Sequence, residues 1–402
     1  MRFVSRKLLL ASICASAIAL HGQEFKLFDR TVQVHGFASQ GFVHTDDNNW
    51  LTMETANIGS GEFTDFSVNA STQITDKFRI GAQFYDRNLG QLGKWGPSLD
   101  WAVADFKFRP WLSIRAGKVK TTFGLFTDTQ DLDFLRVFAL LPQSVYPIDL
   151  RDSNIAHEGG DVYGDIHLGK KRGVVSYTVY SGYRHDSMNS GYPFDIKNLG
   201  VNLTSYGGLQ YGGDLRWATP LKGLLVGTSR LDEDITGNGN LAISPLFPTG
   251  GVWHEHSNSD WTDQFYGQYA RGNWEICSEW RRYWRDEEIF NGLLAWQNDV
   301  RGSYLSAAYR VSKWFGAGAY YSHYRVTNEA SAFGPQTTGA TNDRAISARF
   351  DINRFTNIKV EGHFMAGIGL PGDYPDGFYT SVNPQGLKPN TTALVLKAGF
   401  NF

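Results

Sequence analysis

The chain has 402 residues, with 38 Lys and Arg against 40 Asp and Glu, a formal net charge of −2. A balance this close to neutral, with no basic run, gives nucleic acid no electrostatic footing, and closed β architectures escape the usual rule that such a length means two or three domains. Mean hydropathy is −0.33 although 14% of residues are aromatic and 44 are glycine, so no continuous apolar span follows the first twenty residues and no transmembrane helix is expected.

Residues 1–20 read as a secretory signal peptide: Arg2, Arg6 and Lys7 precede an apolar run from Leu8 to Leu20, and Ala17 and Ala19 have A-x-A spacing. Cys14 follows Ile13, where a lipid-attachment site needs a small residue, so lipid anchoring is rejected. Removing the three leader cations takes 38 basic groups to 35 against 40 acidic ones, a formal −5. Cys277 is then the only cysteine, and no intramolecular disulfide can form.

From there to the end, residues 21–402, the period is two. Phe66, Val68 and Ala70 alternate with Ser67, Asn69 and Ser71; after a turn at 75–77, Phe78, Ile80, Ala82 and Phe84 alternate with Arg79, Gln83 and Tyr85. The runs form a hairpin. Further pairs are read at 99–109 with 111–118, 162–168 with 174–183, 206–218 with 224–232, 261–269 with 274–285, 296–310 with 314–325, and 343–352 with 357–367. With 31–44 and 391–402 these make roughly sixteen strands, within the range of bacterial outer-membrane barrels.

Connections alternate between turns of about two to five residues and long loops at 46–61, 86–98, 185–205, 233–260, 328–341 and 370–389. Many strands carry a polar second face. Aromatic residues recur near strand ends, at Trp101, Phe108, Trp111, Tyr177, Tyr183, Trp217, Trp274, Trp284, Tyr309 and Trp314, as interfacial girdles would. The expected fold is therefore all-β, a transmembrane antiparallel up-and-down barrel.

The chain ends ALVLKAGFNF, with Leu394, Leu396, Ala398, Phe400 and Phe402 on one face. This ending resembles the C-terminal signature of Gram-negative outer-membrane porins. Arg115 to Gly124, RAGKVKTTFG, is similar to the Gly-x-x-Lys-x-Pro-Phe-Gly element before the third loop of phosphate-selective and related porins, with Thr122 where proline is usual. The resemblance implies an exported homotrimer in the cell outer membrane, surrounded by lipid and lipopolysaccharide, passing small hydrophilic solutes. It also implies that the third long loop, residues 121–154, folds into the lumen and narrows it.

In that loop Phe123, Phe126, Phe134, Phe138, Leu140 and Leu141 are expected to be buried and Asp128, Asp131 and Asp133 to face water, with Arg136 and Arg151 as counter-charges and a helical turn near 132–140. Parity puts Arg79, Arg87 and Arg115 on the facing wall, where general porins carry constriction arginines. The eight charges would make an eyelet with a transverse field. The inward face elsewhere mixes Arg216, Arg281, Arg285, Arg349 and Lys359 with Asp165, Asp214, Glu275, Glu279, Asp351 and Glu361, which reads as broad selectivity. A channel specific for sugars, dicarboxylates or phosphate is the alternative, with Tyr163, Tyr180, Tyr266 and Tyr283 facing inward as a possible sugar slide.

Other signals are set aside. The G-x-G-x-x-G at 367–372 precedes no helix, Asp232, Asp234 and Gly237 begin a calcium-like loop whose twelfth position is Ile243, and His254-Glu255-His256 reads as a solvated loop. His167 and His363 lie on polar faces, but no spacing selects a nucleophile, so neither catalysis, cofactor nor metal is expected.

Overall fold

The computed structural model describes residues 23–27, 30–169, 171–243, 248–290, 292–330, 337–368 and 377–402; residues 1–20, expected to be a signal peptide, and positions 369–372 lie outside them. In chain order the strands are β1 (Gln23–Leu27), β2 (Arg30–Thr45), β3 (Ser60–Thr75), β4 (Phe78–Leu89), β5 (Ser98–Arg109), β6 (Leu112–Lys120), β7 (Ala156–His167), β8 (Val174–His185), β9 (Val201–Ala218), β10 (Leu224–Leu241), β11 (Gly251–Ser257), β12 (Asp260–Arg271), β13 (Trp274–Ile289), β14 (Leu294–Arg310), β15 (Phe315–Ala330), β16 (Thr337–Asp351), β17 (Thr356–Gly367) and β18 (Asn390–Asn401). β11 and β12 both lie between β10 and β13, one stave interrupted at Asn258 and Ser259. β1 folds back on the foot of β2.

That leaves sixteen antiparallel staves, each bonded to its chain neighbours. β18 pairs with β2 from Ala393↔Thr45 to Asn401↔Phe37, so the ring closes without an exposed edge. Among the described residues no helix is long and apolar enough to cross a membrane.

Burial shows which way the alternation points. The apolar faces look outward: Val179 is 60% exposed, Leu305 58% and Ile346 58%, whereas Ser67, Gln210 and Glu279 on the alternate positions are buried. A soluble sandwich has the opposite arrangement. A closed wall with apolar residues outside and polar residues inside is the form that satisfies every strand peptide in lipid. Turns at one end are as short as Gly272-Asn273, where Gly272 has φ +61°, the left-handed conformation a two-residue hairpin turn requires. The other end carries connections 46–59, 90–97, 121–155 and 186–200.

Three local readings change. The expected loop at 233–260 is mostly strand, because β10 runs on to Leu241 and β11 returns from Gly251; Asp232, Asp234 and Gly237 sit in the ladder of β10, and His254-Glu255-His256 in that of β11. Trp101 leaves the girdle. A register shift between Gln83 and Phe84 of β4 lets both Asp100 and Trp101 of β5 face inward, and the Trp101 ring lies over Gly81. The helical turn shrinks to a single 3-10 turn at Asp133–Leu135.

Leu305 lies four residues from the turn end of β14 and faces out. Leu305→Arg is expected to cost about 2–4 kcal/mol in denaturant unfolding of the bilayer-embedded barrel, and Leu293→Arg, at the loop end, about 0–1 kcal/mol. Equal costs would contradict the outward-facing assignment.

Candidate functional site

Residues 121–155 connect β6 to β7 and form hydrogen bonds with side chains on staves around the ring. The Gly124 N–H donates to Ser229 on β10, 2.9 Å, and the Leu125 N–H to Glu279 on β13, 3.0 Å. Glu279 also accepts from the Tyr146 and Tyr304 hydroxyls, at 2.7 and 2.6 Å. On β17, Glu361 accepts from the Ala139 and Leu140 N–H groups, at 2.8 and 3.2 Å, while Lys359 donates to the carbonyls of Asp133 and Phe138, at 2.5 and 2.9 Å. Arg281 on β13 donates to the Val145 carbonyl, and Arg349 on β16 to those of Phe134 and Arg136. The segment is thus bonded to inward side chains of β10, β13, β16 and β17.

Two wall glycines make room for it. A Cβ on Gly302 would lie 1.8 Å from the Ser144 carbonyl oxygen, and one on Gly318 2.8 Å from the Phe138 ring. Phe123, Phe138, Leu140 and Leu141 are buried as expected, and Phe126 and Phe134 half-buried.

The eight predicted charges separate into two groups. Asp131 and Asp133 do not face water, because the loop turns them into the wall, where both are buried. Arg151 pairs with Asp131 and with Asp100 of β5, the latter at 2.6 Å, and its guanidinium lies 3.7 Å above the Tyr85 ring. Asp133 pairs with Lys397 of β18 at 3.0 Å and lies 3.6 Å from Lys359. Arg136 donates to the carbonyls of Thr129 and Gln130, so it staples the loop to itself. Arg87 leaves the facing wall's open surface: it donates to the Ile148 carbonyl, 2.6 Å, and pairs with Asp152, 3.0 Å.

Arg79, Arg115 and Asp128 stay together. With Trp101, Lys120 and Thr122 they line a cavity of about 290 Å³ between the β4–β6 wall and the start of the loop. Arg115 is held by Asp161 of β7 through two bonds of 3.0 and 2.6 Å and lies 4.6 Å from the Tyr163 ring centre. Arg79 is exposed and, among the described residues, donates only to the Ser71 hydroxyl, 2.7 Å. Sequence reasoning missed Trp101, Lys397 and the glycine berths; glycines on the inward parity of β14 and β15 were the available signal for the berths.

The loop acids differ in sign. Burial pushes Asp131 up, but the charge and hydrogen bonds of Arg151, with Lys120 and Arg87, outweigh it and hold the carboxyl below its usual range. Asp133 is likewise held low against its burial by Lys359 and Lys397. Asp149 goes the other way: burial raises it, and the bond from the Tyr379 hydroxyl offsets only part. The inward tyrosines are committed, Tyr266 to Asp214 at 2.6 Å, with Tyr180 and Tyr283 buried. His363 is fully buried between Asp343 and Glu361, at 2.8 and 3.1 Å, with Trp50 against it. Cys277 is a buried inward residue of β13. Among the described residues no three side chains cluster as metal ligands.

No protein-family description and no curated protein sequence matches the chain. Solved structures match along nearly its whole length. They include the anion-selective porin from Comamonas acidovorans, with 11% identity over 93% of this chain and 100% of that one and a TM-score of 0.57. The outer membrane channel DcaP of Acinetobacter baumannii gives 9%, 95%, 100% and 0.53, and Salmonella typhi OmpF in complex with daunomycin 13%, 94%, 100% and 0.52. The chain has the outer-membrane porin fold. At these identities the likeness is one of architecture, and the porin fold explains why wall and loop rather than a pocket in a core hold the chemistry.

Arg151→Met takes from Asp100 and Asp131 the cation that hydrogen-bonds both and leaves them Lys120, 3.7 and 3.6 Å away, so it is expected to destabilise the loop locally by up to about 3–5 kcal/mol, read as lost amide-exchange protection across 121–155. In the unaltered chain the folded values of Asp131 and Asp133 lie below the ordinary 3.8, so their contribution is complete above 3.8 and is lost only as pH falls through the depressed values. Asp149 has the opposite sign and disfavours the folded loop as pH rises. Protection corrected for intrinsic exchange should therefore be as strong at pH 4 as at pH 7.

Proposed function

We propose that the barrel is an outer-membrane channel for passive diffusion of small hydrophilic solutes and ions, constricted by residues 121–155. The observation that carries this reading is the cavity at which Arg79 and Arg115 on the wall meet Asp128 on the loop. Opposite charges on the two sides of a water-filled gap set up a transverse field that orders water and favours small dipolar solutes over large apolar ones. Arg87, Asp131, Asp133, Arg136 and Arg151 then act on permeation indirectly, by holding the loop in place.

Two of the structural neighbours, an anion-selective porin and an outer membrane channel, support the same class. Export by the 1–20 leader and assembly as a homotrimer in lipid and lipopolysaccharide belong to this reading. A sugar slide has less support, because Tyr180, Tyr266 and Tyr283 are buried and only Trp101 among the cavity residues offers a ring.

Planar-bilayer recording tests the proposal. The refolded protein should give steady conductance; Arg79→Glu should move the reversal potential toward cations and Asp128→Lys toward anions. Arg115 is left intact because Asp161 would lose its partner. A folded barrel that carries no current would end the channel reading, and unchanged selectivity in both variants would remove this cavity from the permeation path.

A further inference from the structure

The ladder between β5 and β6 stops before either strand does. Its last pair is Ala102↔Lys118, whereas β5 begins at Ser98 and β6 runs to Lys120. Beyond that pair, among the described residues, β5 bonds only to β4, through pairs such as Phe84↔Leu99, and β6 only to β7, through Val119↔His157 and Lys120↔Ala156. At the loop end the wall therefore parts into a wedge.

Lys120 shows that the wedge admits a side chain. Val119 and His157 face each other on the inward side, both buried, so the next residue, Lys120, leaves the strand on outward parity. Its ammonium nevertheless lies inside, 3.7 Å from Asp100 and 3.6 Å from Asp131, and donates to the Asp128 carbonyl at 3.1 Å. A lysine stem can make that turn only where no neighbouring strand closes the wall.

Cavities adjoin the wedge on both sides. Lys120 lines the cavity of about 290 Å³ that holds Arg79, Arg115 and Asp128. A second cavity, of about 130 Å³, is lined by Asp100 and Arg151 from the inner face and by Lys118, Glu158 and Tyr183 from the outer one. Asp100 borders one cavity and Lys120 the other, so their ion pair is the partition. Asp86 of β4 also lines the second cavity; it is buried, and its Oδ1 has no hydrogen-bond partner, so that oxygen needs a donor from within the cavity. Lys118 and Glu158 face each other across the ladder, and the outward residues nearer the turns are Ala116, Ile114, Gly160 and Val162. The charged residues thus stand where the apolar band ends, and the cavity opens to water rather than to hydrocarbon.

The axial mouth is obstructed by contrast. The helix Gly191–Asn198 places Phe194 in an apolar cluster with Val43 of β2 and Val395 of β18, and Tyr192 and Ile196 in another with Ile235 of β10 and Ile289 of β13. β2 and β10 lie half a ring apart, so this helix bridges the loop end of the bore, and the fully buried Trp50, Leu51 and Phe378 fill in beside it. We propose that small hydrophilic solutes enter the lumen through a side port between β5 and β6, gated by the Lys120 ammonium. The flexible four-carbon stem of Lys120 lets the ammonium exchange Asp100 for water or solute without breaking a ladder bond.

The inference rests on the channel reading and names its outer entrance. Planar-bilayer recording with thiol labelling tests it. A methanethiosulfonate carrying a long polyethylene glycol, added from the loop side, should cut the current of Lys118→Cys at least ~2-fold and leave that of Lys388→Cys, exposed on the loop above the mouth, unchanged. Wild type, whose Cys277 is buried, is the blank. Glu158→Cys, across the ladder, repeats the comparison where Lys118→Cys does not fold. Lys120→Ala should raise the unlabelled conductance ~2-fold. Failure of the port cysteines to label from the loop side, full current after labelling, or block by the Lys388→Cys label alone would overturn the port; unchanged conductance in folded Lys120→Ala would overturn the gate. A silent wild type ends the channel reading itself, whereas a conducting wild type whose labelled Lys118→Cys still conducts fully ends only the port.

Discussion

A peptide segment inside a barrel must find a partner for each of its N–H and C=O groups, because the strands around it have already used their own. Residues 121–155 meet that demand from the wall. Glu279 and Glu361 accept loop N–H groups; Lys359, Arg281, Arg349 and Arg87 donate to loop carbonyls. The mixture of acids and bases on the inward face, which reads in the sequence as a sign of broad selectivity, is in large part an adapter between side chains and an irregular backbone. It explains why the inward charges nearest the loop are buried rather than wet.

The same demand organises the sheet. Sixteen staves close so that no strand edge is left unpaired, and closure fixes two faces that differ in everything except geometry. Outside, Val179, Leu305 and Ile346 meet lipid. Inside, large polar side chains fill the bore and glycine replaces them where backbone must approach backbone. Gly302 and Gly318 are such places, and the loop sits close to the wall because those two positions lack a Cβ.

The architecture was legible because a period of two is imposed twice, by lipid on one side and water on the other; hence the strand count, the closing terminal strand and the long third connection could be read directly. Legibility fails where only one of the two solvents is present. In the extension of β10 the outward positions Asp234, Thr236, Asn238 and Asn240 are polar while Ile235 and Leu241, with Trp253 of β11, are buried inside, so the apolar outer face that marks a strand elsewhere is missing and Glu233 to Asp260 reads as loop. It fails again at the bulge beside Gln83, where one irregular residue reverses the parity of Trp101. The candidate site was half legible for a related reason. Parity states which wall a side chain leaves, but a guanidinium reaches far enough to choose among several acceptors. Arg79, Arg115 and Arg87 all leave the wall where parity puts them, but the loop covers Arg87, because the carbonyl of Ile148 comes within its reach.

Arginine therefore marks three environments in this chain, and the number of partners tells them apart. Arg151 is buried and has Asp100, Asp131 and Asp152 around it; losing it would strand charges in a dry site, so it is a structural pin. Arg79 has one neutral partner and water, so its field reaches whatever passes through the gap. Arg325 has a second cation, Arg301, opposite and among the described residues no ion pair, on the outward face of the wall. On the channel reading, the leftover charge of Arg79 stands where water solvates it at little cost and where it can shape a field for transient passengers.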